Sequence, residues 1–395
     1  MTQVQGWTAP GWDGVREAFA ANFAAGREIG AAFSAYHRGE KVADLWGGVA
    51  DRSTGRAWDE DTIVLVFSTT KGLTAMCAHH LADSGVLDIE APVATYWPEF
   101  AAAGKRDVTV AQLLSHQAGL YDVDAELTLT DALAWKPVVD ALASQAPHWA
   151  PGTQHGYHAV TYGWLVGEVV RRVSGRSLGA YFADEIAAPL GADAWIGLPE
   201  SEEPRVALLV SMQEVMTEQT TAAGGDPEQM RALIEQFMGP GTVLGRALAA
   251  PNGAFAEHDV WNTRAVRAAE IPAANGVADA RSIARLYAAT IGEVDGVRVV
   301  SSEQLERAIT QRTTGPNTVL VGMDIQFGLG FMVRSSLMTL GGPRSFGHFG
   351  AGGSVGWADP DAELAMGYVM NKMDMGLAGD PRSSTLVDAC YAALS

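Results

Sequence analysis

The chain has few cysteines, few basic residues and no long apolar run. Only two of its 395 residues are cysteines, and Cys77 and Cys390 lie far apart in the sequence. Cys77 falls in a predicted helix among apolar neighbours, so a small buried thiol is expected there rather than a disulfide. No apolar stretch approaches the length of a membrane span, and the first residues have neither the basic nor the apolar region of an export signal. These absences predict a cytoplasmic protein with no membrane partner.

The deficit of basic residues excludes another class of partner. Lysine and arginine number 27 against 46 acidic residues, which gives a net charge of −19. Such a surface repels phosphate backbones, so nucleic acid is not expected as a partner. The composition, with 48% hydrophobic and 18% charged residues, is typical of a well-buried globular protein. A small-molecule substrate is expected, and the composition is compatible with a homo-oligomer.

The order of predicted elements indicates an α+β fold. Strand patterns occur near both ends of the chain, and the middle is mainly helical and rich in loops. This order predicts an antiparallel β-sheet flanked by helices, with an inserted mainly helical domain. We expect residues 1–67 and 278–395 to form the sheet domain and residues 68–277 to form the helical domain. The active site is expected in the cleft between them.

Four segment predictions bear on the site. Apolar spacing predicts one helix over Asp131–Ala146 and another over Tyr157–Val173. The string QFGLGFMV, residues 326–333, predicts a strand. The recurrence of apolar residues after residue 72 predicts a helix up to Gly85, which would place Ser68 just before that helix or in its first turn.

The stretch VFSTTKGLTA, Val66–Ala75, holds a serine and a lysine three residues apart. On a helix these positions share one face, so Lys71 can place its amine beside the Ser68 hydroxyl. Burial disfavours a charged lysine and lowers its pKa, which would make the amine a base for a serine nucleophile. A helix N-terminus would add backbone N–H groups for an oxyanion. The alternative is a serine N-cap followed by an ordinary surface lysine.

Two G-x-S-x-G strings compete for the role of nucleophile. A nucleophile elbow requires a strand, then the serine on a sharp turn, then a helix. GRSLG, around Ser177, follows a helical run, and its residues fit a helix C-cap and the N-cap of the next helix. GGSVG, around Ser354, is followed by a further strand. The predicted context is therefore wrong for both serines.

Two further stretches supply candidate partners for Ser68. In the first, Tyr157 follows a Pro-Gly turn, and beside a lysine it could act as a general base and then a general acid. In the second, FGHFGAGGSVG, glycines allow a strand edge to approach a substrate closely. Backbone N–H groups near Gly350 and Ala351 could complete an oxyanion hole there with the N–H of Ser68, and His348 would be the polar side chain. A half-buried core tyrosine and a bulged edge strand are the alternatives.

A metal site is the weaker interpretation of the histidines. His148, His155 and His158 cluster in sequence, but no H-E-x-x-H string or matching carboxylate spacing accompanies them. The sequence also lacks a P-loop and a dinucleotide fingerprint after a strand. We therefore expect no metal and no cofactor.

Four strings in order resemble the serine β-lactamase-like superfamily, and most closely its family VIII carboxylesterases. They are VFSTTKGLTA, LLSHQAGLY, WAPGTQHGYHAVTYGWLVGEVV and FGHFGAGGSVGWADP, and the resemblance runs from about Ala31 to Met370. It implies that Ser68 is the acylated nucleophile, that Lys71 is its base partner and that Tyr157 is the catalytic tyrosine. It also implies that His348-Phe349-Gly350 occupies the place of the lysine-threonine-glycine box.

Two departures from that pattern narrow the expected activity. Class C β-lactamases carry tyrosine-x-asparagine, where this chain has Tyr157-His158-Ala159, and the box lysine is replaced by His348. Both missing groups take part in recognition of a β-lactam or a peptide. The expected function is therefore a serine carboxylesterase that hydrolyses short-chain carboxylic esters through an acyl-enzyme. A weak β-lactamase, an amidase, an acyltransferase using the same site, and a non-catalytic ligand-binding member stay as alternatives.

Overall fold

The computed structural model describes residues 2–257, 259–374 and 379–395, which contain two β-sheets. The strands are β1 (Gln5–Thr8), β2 (Gly30–His37), β3 (Glu40–Asp51), β4 (Arg56–Ala57), β5 (Val64–Leu65), β6 (Ala194–Trp195), β7 (Val277–Ala278), β8 (Gln326–Phe327), β9 (Met332–Val333), β10 (Phe346–Phe349), β11 (Val355–Asp359) and β12 (Leu364–Met370). The large sheet has the order β1-β3-β2-β12-β11-β10-β9-β8, with β4 beside β3, and the small sheet has the order β5-β7-β6.

The two ends of the chain meet in the centre of the large sheet. Strand β2 pairs antiparallel with β12, so that Phe33 lies opposite Tyr368. Both strands are buried almost throughout, as expected for strands covered by helices on both faces. The class predicted from the sequence, an antiparallel sheet flanked by helices in an α+β protein, is confirmed.

The helices are distributed over both faces of the sheet and the middle of the chain. They are α1 (Asp13–Ala24), α2 (Thr70–Asp83), α3 (Val110–Leu114), α4 (Leu129–Leu133), α5 (Lys136–Ser144), α6 (Thr161–Ser174), α7 (Leu178–Tyr181), α8 (Met212–Ala222), α9 (Pro227–Met238), α10 (Val243–Ala249), α11 (Arg264–Ala268), α12 (Ala280–Ile291), α13 (Ser302–Ile309) and α14 (Pro381–Ala393). None of the helices in the described ranges combines the length and the apolarity needed to cross a bilayer.

Neighbouring residues of β11 show how the sheet is covered. A Cβ at Gly356 would lie 2.2 Å from Cε2 of Tyr287, a residue of α12. The next residue, Trp357, contacts Tyr391 of α14 with ring centroids 6.2 Å apart. Because successive residues of a strand point to opposite faces, α12 and α14 cover opposite faces of the sheet. The missing side chain at Gly356 lets α12 pack close to the strand.

The predicted helix over Asp131–Ala146 is divided in the structure. Helix α4 ends at Leu133 and α5 begins at Lys136, and Trp135 between them has φ of 64°. A bulky residue rarely adopts this left-handed conformation, which interrupts the helical hydrogen bonding. The prolyl ring at position 137 then fits the first turn of α5.

Two other segment predictions are wrong in their boundaries. Helix α6 begins at Thr161, four residues after Tyr157, because Asn317 accepts a hydrogen bond from the Tyr157 N–H and thereby ties the preceding segment to another loop. Residues 326–333 form two short paired strands, β8 and β9, instead of one. Gly330 lies in the turn between them with φ of 89°, a conformation that suits glycine.

Candidate active site

Ser68 lies in a single 3₁₀ turn, Phe67–Thr69, between β5 and α2. Phe67 before it has φ of 43°, a strained conformation for a bulky residue that must be held by its surroundings. The Thr70 hydroxyl donates to Phe67 O at 2.5 Å and accepts from the Gly276 N–H at 2.9 Å. The turn is thus fixed to the strand segment at Gly276, and the Ser68 N–H lies at a helix start, where N–H groups have no intrahelical acceptor.

Lys71 is fully buried beside Ser68. Its Nζ lies 2.9 Å from Ser68 Oγ, 2.6 Å from Ala159 O and 2.9 Å from Ala273 O. A neutral amine has two N–H donors and one lone pair. The two carbonyl oxygens can accept only from N–H groups, so in the neutral amine both donors are used and the lone pair faces the Ser68 hydroxyl.

The surroundings of Lys71 favour that neutral form. Burial holds the pKa of Lys71 well below its usual range, because the interior disfavours the ammonium ion. Among the ion pairs of residues 2–257, 259–374 and 379–395, none places a carboxylate on this amine. The charge therefore lacks the partner that would stabilise it, which agrees with the role the sequence predicts for Lys71.

Tyr157 covers the same amine from the other side. Its ring is buried, and Lys71 Nζ lies 4.9 Å from the ring centroid. Burial raises the pKa of the Tyr157 phenol well above its usual value, and a hydrogen bond with Ser68 opposes that rise. At neutral pH Tyr157 is therefore a phenol. The structure brings together Ser68, Lys71 and Tyr157, the three residues for which the sequence predicts proton transfer.

Aromatic rings and one amide fix the position of Tyr157. Its ring stacks on Phe327 with centroids 6.0 Å apart and on His348 with centroids 6.1 Å apart. Its backbone N–H donates to Asn317 Oδ1 at 3.2 Å. The same amide oxygen also accepts from the N–H groups of Val319 and Leu320. Asn317 therefore orients the segment that carries the phenol.

Three histidines around Tyr157 are buried and neutral. Burial lowers the pKa of His158 to about 4 and that of His348 to about 3, and it holds the pKa of His116 well below the usual value. His348 Nδ1 donates to Phe349 O at 2.7 Å, whereas its Nε2 is buried without a partner in the described structure. In the family that the sequence resembles, the lysine of the lysine-threonine-glycine box occupies the position of His348. In this protein that position thus carries no positive charge.

The strand edge after β10 offers one of the two predicted oxyanion donors. The Gly350 N–H donates to Ser354 O at 2.7 Å, so it is not free to bind a substrate. The described backbone supplies no acceptor for the Ala351 N–H. Ser354 Oγ donates to Val66 O at 2.7 Å and lies 3.0 Å from Thr69 Oγ1, which ties this edge to the Ser68 turn. Of the two oxyanion donors predicted from the sequence, Gly350 and Ala351, only Ala351 therefore has an N–H group that could bind a substrate.

Gly350→Ala should disrupt this edge. A Cβ at Gly350 would lie 2.2 Å from both Val66 O and Ser354 Oγ, and backbone cannot yield as a flexible side chain does. We expect a loss of stability of about 1–3 kcal/mol, measured by thermal unfolding. Gly14→Ala is the matched control, because a Cβ there meets nothing within 4 Å. A Gly350→Ala variant with the parent's melting temperature would show that this strand edge accommodates a side chain at Gly350.

The serines of the two G-x-S-x-G strings have structural partners. Ser177 caps α7 by accepting from the Ala180 N–H, and its hydroxyl donates to Glu270 Oε1 at 2.6 Å. Gly175 ends α6 with φ of 72°, as the sequence predicts. Ser354 directly precedes β11, and its buried hydroxyl donates a hydrogen bond to Val66 O, next to the Ser68 turn. Neither serine stands between a strand and a helix.

A cavity of about 920 Å³ is lined by residues that include Asp122 and Ala256, the sequence neighbours of Tyr121 and Phe255, and aromatic rings connect these two sides to the surroundings of Ser68. On one side, Phe255 stacks on Trp261 with centroids 4.9 Å apart, and Trp261 packs on Phe67 at 5.2 Å. On the other side, Tyr121 stacks on Trp149 at 5.8 Å, and Trp149 contacts His158. Ser68, Lys71 and Tyr157 are not among the residues that line the cavity.

The histidines considered for zinc do not form one group. His148 Nε2 bonds to Asp122 Oδ1, whereas His158 Nδ1 donates to Gly156 O at 2.6 Å. Asp122, Asp124 and His148 do lie with possible ligand atoms within 4.8 Å of one another. Arg246 Nε, however, lies 3.1 Å from Asp122 Oδ2. A guanidinium on that carboxylate opposes a metal cation at the same place.

Several functional contacts have no signal in the sequence. The two carbonyl acceptors of Lys71, Ala159 O and Ala273 O, are backbone groups that every residue carries. Asn317 lies 160 positions from Tyr157, and an isolated asparagine in a loop predicts nothing specific. His116 lies in the string LLSHQAGLY, and the apolar residues near both ends of that string could have indicated a buried ring. Its ring lies 5.2 Å from that of Tyr157.

The fold and these residues define a hydrolase of the serine β-lactamase-like esterase class. Residues 15–388 match the Beta-lactamase family, and the chain belongs to that family. The "Esterase/beta-lactamase LipL" of Mycobacterium tuberculosis is 38% identical over 376 residues, which cover 94% of this chain and 83% of that protein. A crystal structure of a family VIII carboxylesterase is 41% identical with a TM-score of 0.87, covering 99% of this chain and 100% of that one. A penicillin-binding protein homologue from Caulobacter crescentus is 38% identical with a TM-score of 0.86, again over 99% and 100% of the two chains.

Proposed function

We propose that this protein is a serine carboxylesterase that hydrolyses short-chain carboxylic esters through an acyl-enzyme on Ser68. The observation that carries the proposal is the environment of Lys71. Its amine is fully buried, lies 2.9 Å from Ser68 Oγ and uses two carbonyl acceptors that leave a lone pair for the serine proton. A solvated lysine would be protonated and could not serve as this base.

In the proposed acylation step, Ser68 Oγ attacks the ester carbonyl carbon while its proton passes to Lys71 Nζ. Tyr157, hydrogen-bonded to Ser68, gives its phenol proton to the departing alkoxide and recovers a proton from Lys71. The C–O bond to the alcohol breaks and leaves the acyl group on Ser68. In the second step, water attacks this ester while its proton passes to Lys71 Nζ, the bond between the acyl carbon and Ser68 Oγ breaks, and the proton returns to Ser68 Oγ as the acid is released. The cycle requires neither a metal nor a cofactor.

The proposed oxyanion hole consists of the backbone N–H groups of Ser68 and Ala351. Both donors belong to segments that are tied together by the Ser354 hydroxyl, which bonds to Val66 O and lies beside Thr69 Oγ1. Fixed donors of this kind stabilise the negative charge that develops on the carbonyl oxygen. His348 and Phe349 would border the bound substrate on the same strand.

The absence of positive charge at His348 favours an ester over a β-lactam. With its pKa lowered to about 3, His348 is neutral at physiological pH and does not attract a substrate carboxylate. A β-lactamase is the second candidate, because one relative, at 38% identity, is named "Esterase/beta-lactamase". Amidase and acyltransferase activities at the same serine are further alternatives, as is binding without catalysis. Relative rates on a butyrate ester, an anilide and a cephalosporin would rank these activities.

We also propose that the active site lies between two domains, as the sequence predicts. The helical part, residues 68–277, would supply Ser68, Lys71 and Tyr157, and the part formed by residues 1–67 and 278–395 would supply the His348–Ala351 edge. A small-molecule ester is the proposed partner, the cytoplasm is the proposed location, and self-association is compatible with the proposal.

Active-site labelling tests the nucleophile directly. We expect a fluorophosphonate to modify the protein once, on the peptide that contains Ser68, as mapped by digestion and mass spectrometry. Ser177→Ala and Ser354→Ala serve as matched controls, and both should still be labelled at Ser68. Modification at Ser177 or Ser354 in the parent protein would disprove the mechanism. A fully folded protein that takes no label at all would favour the non-catalytic alternative.

A further inference from the structure

A second cavity, of about 590 Å³, lies in the helical part of the molecule. The residues that line it do not include Ser68, Lys71, Tyr157, His348 or Ala351. Glu270 forms part of its wall, and three residues further along the chain Ala273 O accepts from Lys71. The segment between them therefore separates this cavity from the candidate active site. Its volume falls in the range of about 300–1,000 Å³ that small-molecule sites occupy.

The cations that line this cavity are already paired with acids of the same wall. The pairs are Lys136 with Asp140, Arg171 with Glu168, and Arg172 with both Glu168 and Glu99. Glu168 is fully buried and accepts a further hydrogen bond from Trp135 Nε1 at 2.8 Å. These positive charges are thus compensated by carboxylates of the wall, and an anionic ligand would have to compete with those carboxylates.

Glu270 is the exception among the acids of the wall. It accepts from the Ser177 hydroxyl at 2.6 Å and from the Gly179 N–H at 2.9 Å. Among the ion pairs of the described residues, none joins Glu270 to a lysine, an arginine or a histidine. The wall therefore contains one half-buried carboxylate whose charge is oriented by neutral donors and lacks a cation.

The other residues of the cavity wall suit a ligand that has an apolar part and a positive charge. Trp97 and Trp135 present indole rings, and Leu133, Val139 and Leu178 add aliphatic surface. Indole faces attract organic cations through their quadrupole, and Arg172 already lies 5.8 Å from the Trp97 ring centroid in this way. Trp135 has a left-handed backbone conformation, with φ of 64°, and its ring packs against Gly167 of α6.

We propose that this cavity is a second binding site, for an organic cation with an apolar or aromatic body. The ligand's positive group pairs with Glu270, and its body packs between the indole rings. The site does not depend on the acyl-enzyme mechanism, because its residues take no part in the proposed chemistry.

Benzyltrimethylammonium is a suitable probe, since it carries a permanent charge and cannot be acylated. Calorimetric titration into the Ser68→Ala protein should give a dissociation constant of about 1 mM or below. Glu270→Gln, which keeps a hydrogen-bond acceptor for Ser177, should weaken binding about tenfold, which corresponds to ~1.4 kcal/mol. Trp135→Phe should also weaken it, and benzyl alcohol, which is uncharged, should bind less well than the cation.

Two controls separate this site from the ester site. Glu363→Gln makes the same change in net charge at an exposed residue paired with Arg38, and it should leave the affinity unchanged. Parent protein labelled with a fluorophosphonate should bind the probe as tightly as unlabelled protein. The proposal is overturned by a folded Glu270→Gln protein with parental affinity, by loss of binding on labelling, or by no binding to the parent at all.

Discussion

Ser68→Ala should lower kcat/KM for p-nitrophenyl butyrate by about 10⁴-fold or more, since removal of a nucleophile leaves only the binding and oxyanion contributions. Two neighbours in the site bond to this hydroxyl, Lys71 Nζ at 2.9 Å and the Tyr157 phenol. The 3₁₀ turn itself is held by the Thr70 side chain and does not require that hydroxyl. Thermal unfolding should therefore show a folded protein with a melting temperature near that of the parent.

The two other serines provide matched controls for this result. Ser177→Ala removes the N-cap of α7 and should cost about 1 kcal/mol of stability, with little change in rate. Ser354→Ala removes the bond to Val66 O and should lower the rate moderately while the nucleophile persists. A Ser68→Ala protein that keeps turnover within tenfold of the parent, with Ser354→Ala inactive, would transfer the role of nucleophile to Ser354.

The features that the sequence predicts correctly depend on local spacing or on composition. Ser68 and Lys71 are three residues apart, and any helical start brings such residues to one face, so their proximity follows from the sequence alone. The predicted caps at Gly175 and Ser177 also depend only on neighbouring residues. The α+β class follows from strand patterns at both ends of the chain, which meet as β2 and β12.

The features that sequence patterns miss depend on contacts between distant segments. The helix predicted from Tyr157 begins instead at Thr161, because Asn317 binds the Tyr157 N–H from a loop 160 residues away. Gly350 was a reasonable oxyanion donor in the sequence, but the turn to Ser354 uses its N–H. Such pairings follow from the tertiary path of the chain, which periodicity does not encode.

Burial keeps the titratable side chains around Ser68 uncharged, a property that no single sequence motif reveals. His116, His158 and His348 are all neutral because burial lowers their pKa values, and Tyr157 keeps its proton for the same reason. A protonated histidine near Lys71 would lower the pKa of the lysine further, but burial is already sufficient to lower it. Desolvation lowers the pKa of Lys71 and raises that of Tyr157, which favours a neutral amine beside a neutral phenol, the pair that the proposed proton transfers require.

The proposed neutral state of Lys71 predicts both a loss of activity and a characteristic pH dependence. Lys71→Met should lower kcat/KM about 10²–10⁴-fold, the usual contribution of a general base. Lys71→Arg should not restore the rate, because a guanidinium stays protonated. In the parent, kcat/KM should rise with pH as Lys71 loses its proton and should reach its plateau well below 10.5, the usual lysine pKa. A plateau reached only near that value would contradict a buried neutral amine.

The lowered pKa of Lys71 also determines how the free energy of unfolding should change with pH. In the unfolded chain Lys71 holds its proton up to about its usual pKa of 10.5, whereas the folded protein has lost it at a much lower pH. Between the two values folding releases a proton, so the free energy of unfolding increases with pH through this group. Lys71→Met lacks that contribution, and denaturant titrations at two pH values in this window should show the parent gaining stability relative to the variant at the higher pH. A difference that is constant with pH would mean that Lys71 keeps its proton in the folded state, and then it could not accept the proton of Ser68.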